Sequence, residues 1–330
     1  LMEGDATLTA TFALKSYNVE IVCNRNEGVV IGVGTGVYPY GNVLSLTAEP
    51  LSGYVFDGWY IADSKIAEAS TYVHTVDSAV QIEARFTQVI YDLTLRLEDG
   101  WNWISAYFAD EELMTSWKFL TPIKNSVERF VGMETEIVND PEYGLTGNLH
   151  TLSPTEGYKV KTNRLMLNTW TGVKANTDST QIALKKGWNW IGYPAAIAME
   201  VNEAFANAEP DNEDYIVGQD GFAQYTDGEW IGTLKTLEPG KGYMYHSESE
   251  KEFAYNTAIY AKAQHMYRSS AVEETPWNAD KHKYPNIMCV IAELFVDETI
   301  IDMENCIIGA FCGDECRGIG KYVNGRMMMN

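Results

Sequence analysis

Four sets of residues in this chain have types and spacings that chemistry can use: a glycine run, two acidic clusters, a scatter of histidines and a group of cysteines. The run Gly32-Val33-Gly34-Thr35-Gly36 invites a nucleotide reading. A dinucleotide loop, however, needs a strand before it, a helix after it and Gly-x-Gly-x-x-Gly spacing, and Val37-Tyr38-Pro39-Tyr40-Gly41 blocks a helix. These are hairpin glycines. Asp211-Asn212-Glu213-Asp214 and Asp227-Gly228-Glu229 are oxygen-rich but lack the ligand order and central glycine of a calcium loop, and they read as solvated turns. His74, His150, His246, His265 and His282 form no His-Glu-x-x-His, and none stands near the cysteines in a metal-finger spacing. No metal or cofactor is expected. There is no Gly-x-Ser-x-Gly elbow, and carboxylate pairs in so acidic a chain discriminate nothing. No catalytic residue is assigned.

One further set concerns binding, and the cysteines concern covalent structure. Trp170, Tyr225 and Trp230 are candidate ligand-facing aromatics, able to stack on sugar rings if they face solvent. Of the cysteines, Cys23, Cys289, Cys306, Cys312 and Cys316, the last four crowd the end of the sequence. A two-residue turn at Asp297 and Glu298 sets Cys289 opposite Cys306 on neighbouring strands. A bridge there requires Cβ atoms about 3.5–4.5 Å apart, and a slip of one residue sends the two side chains to opposite faces. The disulfide and a pair of buried free thiols both stand.

The elements that must position these groups follow from composition. With 330 residues the chain exceeds one ordinary core and is expected to hold two to four domains. Its 45% hydrophobic and 12% aromatic content exclude wholesale disorder, and 20 Tyr and nine Trp beside 27 Gly favour strands joined by tight turns. A net charge of -22 opposes phosphate backbones and anionic membranes, so nucleic acid is not an expected partner. No apolar run is long enough to span a membrane, and the first residues have no basic start followed by an apolar stretch. Any export signal or anchor is expected outside this segment.

Repeats organise the chain. Ala6-Thr7-Leu8-Thr9-Ala10-Thr11-Phe12 reads against Val80-Gln81-Ile82-Glu83-Ala84-Arg85-Phe86, so residues 1–13 are expected to be the last strand of a preceding repeat. Val19–Cys23, Val43–Ala48 and Ile82–Phe86 read as strands of a small module over 14–88, with Tyr54, Phe56 and Trp59 supplying its core. The run from Gly34 to Pro50, followed by Gly53-Tyr54-Val55-Phe56-Asp57-Gly58-Trp59, resembles the internalin-type B-repeat of bacterial surface proteins. That resemblance implies a β-grasp-like spacer or adhesion repeat without catalytic residues.

A sharper duplication follows. Leu97-Glu98-Asp99-Gly100-Trp101-Asn102-Trp103-Ile104 returns as Leu184-Lys185-Lys186-Gly187-Trp188-Asn189-Trp190-Ile191. Leu152-Ser153-Pro154-Thr155-Glu156-Gly157-Tyr158 returns as Leu237-Glu238-Pro239-Gly240-Lys241-Gly242-Tyr243. Two modules result, 89–177 and 178–257. In each, the i and i+2 tryptophans face one side of a strand and are expected to share a core. Val201–Ala208 is expected to form two helical turns, giving each module one short helix. The pairing of these motifs resembles repeats in large secreted or surface proteins of Bacteroides-like bacteria.

Residues 258–283 lack a clear period and read as a linker or strap. In 284–330, Ile287–Val296 and Cys306–Phe311 read as two strands and Cys316–Val323 as a third, a terminal module left with an open edge and half a core. That stretch resembles a terminal module of Bacteroides-type surface proteins. Missing chain, or a strand from a partner, is expected to complete it.

The fold class expected is therefore mainly β and multi-module: a β-grasp-like repeat, two duplicated β-rich modules each with one short helix, and a partial β-sandwich-like module. The function expected is that of a non-catalytic, exported bacterial surface protein presenting binding faces to a protein or glycan. The alternatives are a dedicated carbohydrate-binding module and the accessory tail of a larger secreted enzyme.

Overall fold

The computed structural model describes residues 9–51, 53–175, 177, 180–256, 275–296, 299–301, 303–304 and 306–330. Strand occupies 52% of the chain and helix 3%, as the aromatic and glycine content requires of a mainly β protein. Two compact units form, Leu1–Val89 and Ile90–Asn330. Part of the Ala6–Phe12 stretch and the whole of 258–274 lie outside the described residues. Among the described residues no helix is long and apolar enough to cross a membrane.

The first unit comprises β1 (Ser16–Cys23), β2 (Gly28–Gly32), β3 (Gly36–Pro39), β4 (Val43–Pro50), β5 (Tyr54–Ile61), β6 (Ser64–Ala67), β7 (Thr71–Thr75) and β8 (Val80–Gln88). One sheet runs β3-β1-β8-β5-β6 and the other β2-β4-β7. The β1 and β8 pair is parallel, with Val19 opposite Val80 and Cys23 opposite Ala84. Strict alternation along β4 sends Leu44, Leu46 and Ala48 inward, where they meet Val19, Trp59, Ile82 and Phe86. Tyr54 and Phe56 pack at the margin of that core. Gly28 is required by proximity, since a Cβ there would lie 2.2 Å from the Phe86 ring. The glycine run at 32–36 joins β2 to β3, with no helix following it.

In the second unit the first tryptophan repeat holds β9 (Ile90–Leu97), β10 (Gly100–Ile104), α1 (Ser116–Leu120), β11 (Val127–Val131), β12 (Glu136–Asp140), β13 (Gly144–Gly147), β14 (Tyr158–Thr162) and β15 (Met166–Val173). The second repeat holds β16 (Ile182–Leu184), β17 (Gly187–Ile191), β18 (Met199–Glu200), α2 (Val201–Ala204), β19 (Tyr215–Gly218), β20 (Gly221–Thr226), β21 (Glu229–Gly232), β22 (Thr236–Leu237), β23 (Tyr243–Ser247) and β24 (Lys251–Phe253). Their five-stranded sheets have the same order, β10-β14-β11-β12-β13 and β17-β23-β19-β20-β21. A ribbon covers each, β15 with β9 and β16 with β24. The helix of the second repeat stops at one turn, because Phe205 leaves it to fill a cage of Trp230, Tyr245, Phe253 and Tyr255 rings.

The repeated motif has a local physical cause. Asn102 Oδ1 accepts the Glu98 N–H (2.8 Å) while its amide donates to the Glu98 and Gly100 carbonyls. Asn189 repeats this with Lys185 and Gly187. The turn so closed needs φ of +98° at Gly100 and +95° at Gly187, which only glycine adopts freely. Asn and the following Ile therefore point to the module core, and alternation turns both tryptophans outward. The tryptophans do not share their own module's core, which corrects the reading from sequence.

The terminal strands are β25 (Val290–Ala292), β26 (Leu294–Val296), β27 (Thr299–Ile301), β28 (Gly309–Cys312), β29 (Glu315–Ile319), β30 (Lys321–Val323) and β31 (Arg326–Met329). The sheet β25-β31-β30 places Met327 and Met329 with Met303 on one side and Met328 on the other. Met328, Ile287, Cys289, Ile291 and Val323 pack on Val217, Phe222 and Met244 of the second repeat. The half-core that the sequence leaves missing is thus supplied by the outer face of the β17–β21 sheet.

Candidate functional site

The two repeats meet through reciprocal backbone bonds. Gly157 N–H donates to Trp190 O (3.2 Å) and Gly242 N–H to Trp103 O (3.3 Å); Gly192 N–H donates to Thr155 O (2.8 Å) and Ser105 N–H to Gly240 O (2.9 Å). Each turn Leu-x-Pro-x-x-Gly-Tyr thereby caps the end of the other repeat's Gly-Trp-Asn-Trp strand. A Cβ would lie 2.8 Å from Ile191 O at Gly157 and 2.5 Å from Ile104 O at Gly242, so neither position admits a side chain. The tyrosine that ends the motif secures its own turn: Tyr158 Oη accepts Ser153 N–H and Tyr243 Oη accepts Glu238 N–H, both at 2.7 Å. Burial raises the pKa of both phenols, so they stay neutral and fit for this task.

At the centre of this junction the symmetry breaks. Lys159, 3% exposed, lies between the rings of Trp103 and Trp190, with Nζ 4.4 and 4.3 Å from their centroids. Nζ donates to Asn286 Oδ1 at 3.0 Å. Burial pushes its pKa down to about 8. By register its counterpart is Met244.

The same substitution pattern runs across the outer face of each sheet. Register aligns Arg129, Glu136, Lys159 and Lys161 of the first repeat with Tyr215, Phe222, Met244 and His246 of the second. The first face is charged and satisfied by pairs such as Lys161–Glu128 (2.7 Å) and Arg129–Glu136. The second is apolar and is roofed by residues 286–291. Roof and sheet do not close completely. They leave a cavity of about 640 Å³ whose walls include Trp188, Tyr215, Met244, Ile287 and Met288. Trp188 is 45% exposed at its rim, edge-on to His246 with ring centroids 5.1 Å apart. An apolar wall with a few polar groups and a half-exposed tryptophan suits an amphipathic ligand.

The sequence-predicted residues fall elsewhere. Trp170 is 3% exposed, stacked on Phe119 at 4.6 Å, and its Nε1–H donates to Phe119 O (2.8 Å). Trp230, 6% exposed, packs on Phe205, and Tyr225 lies against Trp230 at 5.4 Å. Neither tryptophan offers a ring face to a sugar; both fill module cores, and this corrects their assignment as ligand-facing. Cys289 and Cys306 are free thiols and are not brought together. The β26–β27 hairpin has the expected register, with Val296 opposite Thr299, although Asp297 and Glu298 themselves lie outside the described residues. Its ladder ends at Leu294 and Ile301, because Val290–Ala292 leave to pair with β31. Burial in the roof raises the Cys289 pKa to about 12, so it is an inert thiol.

The acidic turn at 211–214 is also not simply solvated. Asp214 is wholly buried, accepting from Asp211 N–H, Glu248 N–H, Tyr245 Oη and Lys251 Nζ, the last at 2.8 Å. Among the described residues no group of three or more His, Cys, Asp or Glu could hold a metal ion; His265 is not among them. Trp188 was not singled out from sequence, because its motif is identical to that around Trp101. The available signal was Tyr243-Met244-Tyr245, a strand apolar on both faces, against Tyr158-Lys159-Val160-Lys161.

Residues 17–90 match the divergent InlB B-repeat domain family, in agreement with the resemblance read from Gly34–Trp59. No curated protein and no solved structure matches the chain. The B-repeat assignment fits a module of a surface protein, and it covers the first unit only.

Proposed function

We propose that this chain is a non-catalytic segment of an exported surface protein, in which the B-repeat unit acts as a spacer and the tryptophan-repeat unit presents a binding face to a protein or glycan. The observation that carries the reading is the groove beneath residues 286–291, rimmed by Trp188 and formed only where the two duplicated faces have diverged. The B-repeat match supports the surface setting. Burial of Trp170 and Trp230 weakens the reading of a dedicated carbohydrate-binding module, since such modules display flat aromatic platforms. The reading of an accessory tail of a larger enzyme places chemistry outside this sequence.

The full chain, immobilised and screened against glycan and extracellular-protein arrays, is expected to yield a ligand whose affinity falls about tenfold or more in Trp188→Ala. Ligands that bind Trp188→Ala as well as the unaltered chain would place the binding face elsewhere.

A further inference from the structure

The first repeat displays how the outer edge of its tryptophan strand is filled. Trp101 N–H donates to His282 O (2.7 Å), Trp101 O accepts Gln219 Nε2 (2.7 Å), and Trp103 N–H donates to Gln219 Oε1 (3.1 Å). Lys281, beside His282, is held by Asp220 at 3.0 Å. Every outward backbone group of β10 next to these tryptophans is thus engaged, because a strand edge left open is a row of unsatisfied donors and acceptors.

β17 stands at the edge of its sheet, and Trp188 and Trp190 hold the same register on β23 that Trp101 and Trp103 hold on β14. Trp190 O is taken by Gly157 N–H, as Trp103 O is by Gly242 N–H. The Trp188 N–H, Trp188 C=O and Trp190 N–H have no partner among the described residues. The space beside the preceding glycine tells the same story. A Cβ on Gly100 would meet His282 O at 2.3 Å, whereas one on Gly187 would meet nothing within 4 Å. The hairpin position corresponding to Gln219 is Met133, exposed and without an amide, and the position of Asp220 is Glu134, also exposed.

We infer that β17 is a strand acceptor: an extended segment of a different protein adds to its edge, bonding through its main chain to Trp188 and Trp190 and sending alternate side chains into the groove beside Trp188. On β10 the precedent is partial: His282 gives one main-chain bond, to Trp101, and the Gln219 side chain takes the outward groups that a strand would take on β17. The occupant the β17 edge specifies is an extended peptide with an apolar residue for the groove and a lysine for Glu134, a choice that suits a chain of net charge -22. The inference rests on the groove being the binding face and adds what lies in it.

The test uses the full chain and a synthetic peptide copying Asp280–Asn286, followed by amide hydrogen exchange and titration. The peptide is expected to slow exchange at Trp188 and Trp190 by about tenfold or more. Trp188→Phe should keep binding, and Trp188→Pro should lose about tenfold or more beyond what Trp188→Ala loses, because both remove the ring and proline removes in addition an outward N–H that no ladder bond uses. Failure of the peptide to protect these amides overturns the inference. So does protection already as strong as that of Trp101 in the free chain, which would show the edge filled from within the chain. Protection that grows with the chain's own concentration would assign it to a second copy and overturn it likewise. A ligand that depends on the Trp188 ring but leaves both amides exchanging freely sinks the strand acceptor and leaves the groove standing.

Discussion

The two tryptophan repeats share a sheet order, a ribbon, an asparagine-closed turn and a tyrosine-closed turn, yet one outer face carries charge and the other an apolar roof. What separates them is a handful of alternate positions on three strands. Inward positions, fixed by a shared core, stayed equivalent. Outward positions were free to specialise, and in the second repeat they gained a terminal module and a groove. The lesson is that duplication preserves what packing dictates and releases the opposite face of the same strands.

The comparison breaks most visibly at buried charge. Asp214 precedes Tyr215 as Glu128 precedes Arg129, but Asp214 is enclosed with Lys251 whereas Glu128 pairs with Lys161 near solvent. Asp214→Ala strands two backbone N–H groups and the Tyr245 hydroxyl and leaves Lys251 with Asp211 (2.9 Å) as its remaining carboxylate, and is expected to lower the stability of the second unit by about 3 kcal/mol. Glu128→Ala is expected to cost under about 0.5 kcal/mol. Urea denaturation of the two variants, followed by tryptophan fluorescence, checks the contrast; equal costs would mean the repeats are stabilised alike.

Next in size are the equivalent tryptophans. Trp101, 8% exposed beside the His282 segment, should cost about 3 kcal/mol when changed to Ala. Trp188→Ala should cost under about 1 kcal/mol and reveal itself in ligand binding instead. A thermal shift that is the same for both would remove the distinction between a filled and an open edge.

The smallest effect sharpens the break at the junction. The Lys159 pKa, held near 8 by burial, lies below its ordinary 10.5. The unfolded chain then binds more protons between those values, so the contribution of Lys159 to stability rises with pH across that window, while below pH 8 the full cost of the buried charge remains. Lys159→Met, which installs the residue of the second repeat, is expected to stabilise by about 1 kcal/mol at pH 7, with the gain shrinking toward pH 10. Paired denaturation curves at pH 7 and pH 9.5 measure this. A Met variant less stable at both values would show that the two indole rings and Asn286 outweigh desolvation.

Much of this was legible in the residues. The matched Gly-Trp-Asn-Trp and Leu-x-Pro-x-x-Gly-Tyr motifs marked equivalent turns in the two repeats, since local turn chemistry needs glycine at Gly100 and Gly187 whatever surrounds them. The B-repeat was legible for the same reason, and so was Trp59 at its centre. The site was not. Exposure of Trp188, burial of Trp170 and Trp230, and separation of Cys289 from Cys306 depend on which elements meet across long sequence distances, and alternation alone says only that a side chain has a face.

By itself the sequence determined a mainly β chain, its duplicated modules, and the positions where backbone geometry demands Gly, Asn or Tyr. Only the tertiary structure decided that the terminal strands complete their core on the second repeat's outer sheet, and that one tryptophan strand has its edge filled while the other has no partner there among the described residues. The physical reason is that turns and alternation are local, fixed within a few residues, whereas burial and edge pairing are set by partners more than a hundred residues away, as Gln219 is from Trp103.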